Sequence, residues 1–103
     1  MRVDISSFEQ SVHQAAPPAG ISPALESLWH ERHGDWDRAH RIAQDIAGGE
    51  GAWVHAYLHR REGDQSNAEY WYNRAARPVV HGSLDDEWRS IAEALLAHYS
   101  SPK

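Results

Sequence analysis

The chain contains no cysteine. Disulfides, thiolate zinc sites and cysteine nucleophiles are therefore excluded. Basic residues are the minority charge, with 10 Lys and Arg against 15 Asp and Glu and a formal net charge of -5. A general nucleic-acid binder needs a basic face to displace counterions, so that class is set aside. No stretch approaches the roughly 20 apolar residues of a membrane span. Met1 to Gln10 holds no apolar run of signal-peptide length. There is no glycine-rich phosphate loop, no Gly-x-Ser-x-Gly elbow and no His-Glu-x-x-His. His30-Glu31-Arg32-His33 has one residue too few between its histidines for the last of these. These absences lean away from an enzyme, call for no cofactor, and lead to the expectation of a soluble cytoplasmic protein.

Against these gaps stand two surpluses, five Trp and eight His in 103 residues. Protonating every histidine would carry the net charge from -5 to +3, part of it in the mildly acidic range. Hydrophobic residues at 41% and charged residues at 24% suit a folded chain, and the length fits one domain, 1–103.

Proline and glycine divide that domain. Pro17, Pro18 and Gly20 close an N-terminal short helix and linker, 1–20. Gly48, Gly49 and Gly51 form a second break, and Pro78 with Gly82 a third. Between the breaks the apolar spacing is helical. Ser6 and Ser7, with Glu9 and Gln10, offer capping boxes to the first helix. Ser22-Pro23 opens a second helix carrying Leu25, Leu28 and Trp29. Asp35 opens a third, striped by Trp36, Ala39, Ile42, Ala43 and Ile46. Trp53, Val54, Tyr57 and Leu58 mark a fourth. Ala68, Trp71, Tyr72 and Ala75 mark a fifth, beginning near Asp64 or Ser66. Ser83 caps a last helix, 83–100, lined by Leu84, Trp88, Ile91, Ala92, Leu95 and Tyr99. The fold class expected is all-α.

The middle of the chain matches itself at an offset of 29: His30 with His59, Arg32 with Arg61, Gly34 with Gly63, Asp35 with Asp64, Ala39 with Ala68. Each unit, 22–47 and 51–78, reads as helix, Gly-Asp corner, helix. Glycine closes the first helix at positive φ, and aspartate accepts from the free N–H groups opening the second. Such hairpins bury their apolar sides by stacking. The corners Gly34-Asp35-Trp36-Asp37-Arg38-Ala39 and Gly63-Asp64-Gln65-Ser66-Asn67-Ala68 resemble the turn of a tetratricopeptide repeat. Ala68-Glu69-Tyr70-Trp71-Tyr72-Asn73-Arg74-Ala75-Ala76 is similar to the second helix of SEL1-like repeats. The resemblance implies a right-handed α-α superhelix of helical hairpins with flanking capping helices. The offset of 29 is shorter than the roughly 34 residues of a tetratricopeptide unit, and two units are fewer than a solenoid usually needs.

The family resemblance also implies that the first helix of each unit lines a concave surface. Steps of three and four put Trp53, Tyr57 and Arg60 on one helix face, with Arg61 adjoining and Arg32 its repeat equivalent. Aromatics beside guanidinium groups suit an acidic peptide or a carboxylate. The other reading of this group is core aromatics with arginines paired to Glu62, Glu26 or Glu31. His55 and His59, four apart, and His30, the repeat equivalent of His59, are metal candidates, with His33 and His40 nearby. Two imidazoles are too few for a tight zinc site, so the expectation is no metal. A His-Glu pair, His55 with Glu26, lacks a nucleophile. Tyr70 cannot share a face with both Trp71 and Tyr72, and offers a place for self-association. The expected function is non-catalytic binding of a protein or acidic peptide through Arg32, Trp53, Tyr57, Arg60 and Arg61. The alternative is a small-ligand or metal-binding module built on clustered histidines. On the first reading, replacing Arg60 and Arg61 together by Ala weakens capture of an acidic peptide without unfolding the chain.

Overall fold

Two local devices set the hairpin corners. A computed structural model describes residues 4–100, apart from the side chains of residues 98–100. In it, α2 (Pro23–Arg32) ends where Gly34 takes φ +99°, and α4 (Gly49–Arg61) ends where Gly63 takes φ +91°. At the first corner the Gly34 and Asp35 N–H groups donate to the Glu31 and His30 carbonyls at 3.0 and 2.8 Å. At the second, Gly63 and Asp64 donate to Arg60 and His59 at 3.1 and 2.9 Å. This is the Schellman arrangement, in which a left-handed residue satisfies the last carbonyls of a helix. Each aspartate then caps the next helix. Asp35 Oδ1 accepts from Arg38 N at 3.1 Å to open α3 (Trp36–Gln44), and Asp64 Oδ1 from Asn67 N at 3.2 Å to open α5 (Gln65–Ala75). Ala39 and Ala68, both fully buried, let the paired helices approach.

Among the described residues there are six helices and no strand, the remaining two being α1 (Ile5–Ser11) and α6 (Leu84–Ser100). No helix among them is long and apolar enough to cross a membrane. Helix α2 packs chiefly on α3 and α4 on α5, while α6 lies against α1, α2 and α4. Trp88 of α6 is the keystone. Its indole N–H donates to the Leu28 carbonyl at 3.0 Å, Phe8 stacks on it at 5.5 Å, and the Arg32 guanidinium lies over it at 4.5 Å. Leu25, Leu28, Leu58, Ile91 and Ala92 complete this core. A smaller cluster of Ala56, Ala68 and Tyr72 fills the space between α4 and α5.

Two local expectations are corrected, and one left open is decided. Asp4, not Ser6 or Ser7, caps α1, its Oδ1 accepting from Ser7 N at 2.8 Å. Of the two starts left open for α5, Asp64 is the cap. The glycine break ends at Gly48 (φ +84°), and α4 begins at Gly49 with Gly51 buried inside it. A Cβ at Gly51 would overlap the Ile46 carbonyl oxygen, so that glycine serves close approach, not termination. The expected place of Tyr99 on α6 falls on a side chain outside the described residues.

Candidate functional site

The arginines singled out from the sequence all meet carboxylates. Arg60 donates to Glu87 Oε1 of α6 at 2.6 Å and also to the Gly82 carbonyl. The Tyr72 hydroxyl donates to the other Glu87 oxygen. Arg61 Nε lies 3.2 Å from Glu31 Oε2, whose partner oxygen accepts from the Tyr57 hydroxyl at 2.9 Å. Arg32 pairs with Asp85 at 3.1 Å. Burial raises the Glu31 carboxyl, offset by the Tyr57 hydrogen bond and the Arg61 charge. Tyr57 is fully buried, and burial beside Glu31 pushes its hydroxyl well above the ordinary phenol range. Trp53 is half-buried under the Arg77 guanidinium, 3.6 Å from the ring centre. The five residues thus do not share one open face, because α6 packs over the leading helices and supplies two of their counter-charges. A cleft of about 270 Å³ holds Arg32, but with Glu9 and the buried Trp88 in its walls.

A second aromatic-arginine group stands open. On α5, Tyr70 is 53% exposed, Trp71 half-buried and Tyr72 buried, so the three rings point apart as a helix requires. Arg74 follows Tyr70 by four and Trp71 by three. Its guanidinium lies 5.7 Å from the Tyr70 ring and 5.6 Å from the Trp71 ring, and it donates to the Tyr70 hydroxyl at 3.4 Å. No carboxylate pairs with Arg74 among the described residues. Most of its five N–H donors remain available. Trp71 and Arg74 border a cleft of about 340 Å³ whose other walls are the end of α3 (Ala43, Gln44), Ile46 of the following loop and the first turn of α4 (Gly49, Gly51, Ala52). No acidic side chain lines it. That first turn has no side-chain cap, so its first N–H groups lack a side-chain acceptor; it carries one acidic residue, Glu50, which does not line the cleft.

His55, also in this wall, begins a run of stacked rings. Trp71 covers one side of it at 3.9 Å and His59 lies 4.8 Å away, nearly parallel. Across the α3–α4 contact, His40 Nε2 is 2.9 Å from His55 Nε2. Burial pushes the His55 imidazole down to about 4, helped by His40 and His59. Burial likewise lowers His40, with His59 adding to the effect. His59 Nδ1 donates to Glu62 Oε2 at 2.7 Å, since an ionised carboxylate only accepts. His30 does not join this group. Its Nε2 lies 3.7 Å from Glu26 Oε2, beyond hydrogen-bond range, and its ring packs edge-on to Trp29. Glu26 is therefore beside His30 and not paired with His55.

Compared with protein-family models, curated proteins and solved structures, the chain gives no match. The site rests on its own geometry. Arg74 and Arg77 are not among the residues that the sequence marks as a site, and His40 stands there only as a neighbour of the metal candidates. A signal for Arg74 was present: its three- and four-residue steps from Trp71 and Tyr70 repeat the logic applied to Trp53, Tyr57 and Arg60.

Proposed function

We propose that the protein is a non-catalytic interaction module that binds an acidic peptide at the α5 cleft. One observation carries the reading: Arg74, set against two aromatic rings and lacking a carboxylate, borders a cleft without acidic lining. A peptide carboxylate there meets guanidinium donors and the uncapped N–H groups of α4, while the aromatic faces of Trp71 and Tyr70 cover the peptide's apolar atoms. We read the two hairpins as short units of a tetratricopeptide- or SEL1-like right-handed superhelix. The repeated Gly-Asp corners, 29 residues apart and alike in hydrogen bonding, support that reading. In it, α6 closes the stack and the contact surface lies on the second helix of the second unit.

The test is fluorescence polarisation with a labelled glutamate-rich peptide and its lysine-substituted counterpart. The wild-type chain prefers the acidic peptide. Arg74→Ala weakens it about tenfold or more, or about 1.4 kcal/mol, as loss of a partly desolvated charge-assisted contact requires. Its circular dichroism stays unchanged because the side chain is exposed. Equal binding of both peptides, or an unaffected Arg74→Ala variant, refutes the assignment.

A further inference from the structure

We propose that His40, His55 and His59 form a binding site for a divalent first-row transition ion, with Zn2+ the reference case. One nitrogen from each ring lies within 4.8 Å of the others. Tetrahedral zinc holds imidazole nitrogens at about 2.0–2.1 Å, which places them roughly 3.3 Å from one another. The observed 2.9 Å between the His40 and His55 Nε2 atoms needs a small opening, and the third ring a small approach. Both are side-chain adjustments. The proton now held between His40 and His55 moves to Nδ1 of the donor ring, leaving two lone pairs turned inward.

Three features build the site beyond proximity. His55 and His59 stand one turn apart on α4, so the helix itself fixes their separation. The Glu62 carboxylate accepts a hydrogen bond from His59 Nδ1–H at 2.7 Å, which leaves Nε2 free and orients the ring. This carboxylate-imidazole pairing is the outer-shell device that raises ligand basicity in metal sites. Finally, Trp36 stacks on His40 at 4.8 Å and is itself anchored by an indole N–H bond to the Leu58 carbonyl at 2.8 Å. Three neutral imidazoles with no thiolate suit zinc, copper or nickel, not magnesium or calcium. They leave a fourth position to water. His40 is only half-buried and gives the ion its way in.

The site shares His55 and its Trp71 neighbour with the wall of the α5 cleft, but it stands without the peptide reading. The experiment is isothermal titration of the full chain, freed of metal by chelator, with Zn2+ and then Mg2+. The expected result is one Zn2+ per chain at micromolar or tighter affinity, and no response to Mg2+. His40→Ala, on the more exposed helix, weakens Zn2+ by at least tenfold, and Glu62→Gln weakens it by about tenfold through the outer shell. Folding of both is checked by circular dichroism, and either folded variant suffices for the test. Replacing the exposed His13, His33 and His81 together by Ala leaves binding intact. The proposal is overturned if no saturable one-to-one binding is seen, if folded His40→Ala or Glu62→Gln binds as the wild type, or if the triple surface variant abolishes it.

Discussion

Replacing Arg60 by Ala is expected to cost stability before it costs anything else. The Arg60 side chain is 10% exposed and that of its partner Glu87 is 2% exposed. Truncation leaves the Glu87 carboxylate in the protein interior with only the Tyr72 hydroxyl to solvate it. Breaking a buried pair from one side costs about 3–5 kcal/mol. The bond to Tyr72 remains, so the lower end, about 3 kcal/mol, applies. In a domain whose whole stability is of the order of 5–15 kcal/mol, that is a large share. For a chain of this size it corresponds to a fall of about 12–20 °C in Tm. Urea unfolding at neutral pH, followed by tryptophan fluorescence, measures the loss directly. Arg60→Met with Glu87→Leu and Tyr72→Phe, which removes both charges and the buried hydroxyl that would lose its acceptor, recovers most of it. A loss under about 1 kcal/mol for Arg60→Ala would refute the reasoning and return Arg60 to the solvent-facing role expected from the sequence. The same logic applies to Arg61, though less strongly, since its side chain is 46% exposed.

Two further outcomes follow from local chemistry. His55 binds its proton only near pH 4 in the folded chain, against about 6.5 when unfolded. Between those values the unfolded state holds more protons, so the stability present above about pH 6.5 is lost as pH falls. His55 alone removes up to about 2 kcal/mol between pH 7.5 and pH 5. The lowered His30 and His40 act in the same direction, and a urea midpoint that is flat or rises across this window in metal-free buffer contradicts the placement of these rings. Ala76 closes α5 at φ +56°, with Arg77 N donating to the Tyr72 carbonyl at 3.0 Å, the geometry that glycine supplies at the other two corners. Ala76→Gly is therefore expected to raise stability by up to about 1 kcal/mol, the left-handed strain less the entropy of glycine, and calorimetry showing a loss counts against that reading.

The hairpin corners were legible because they are local. Glycine, aspartate and a small residue within six positions decide both the end of one helix and the start of the next. The start of α4 was less so. Gly51 reads as a breaker by propensity, yet tertiary contact with Ile46 demands it inside the helix. Capping of α1 was decided among Asp4, Ser6 and Ser7, three competent acceptors that sequence alone does not rank. The arginine partners were hidden by distance: Glu87 lies 27 residues from Arg60, and its presence there depends on how α6 crosses the leading helices. Hence the helix face carrying Arg60 read as a groove, although the chain's own last helix lies over it. The pairing of His40 with His55 was hidden in the same way, since it crosses 15 residues and a hairpin-to-hairpin contact. Tyr70, Trp71 and Tyr72 were separable because adjacent helical residues must diverge.

The proposal that acidic peptide enters beside Arg74 is most directly tested by two-dimensional NMR of the uniformly 15N-labelled chain, titrated with the glutamate-rich peptide. The amides of Gly48, Gly49, Gly51 and Ala52 and the indole N–H of Trp71 are expected to shift together, saturating at one equivalent, and to stay still in Arg74→Ala. Shifts centred on Arg32 and α6, or none at saturating peptide, would contradict it.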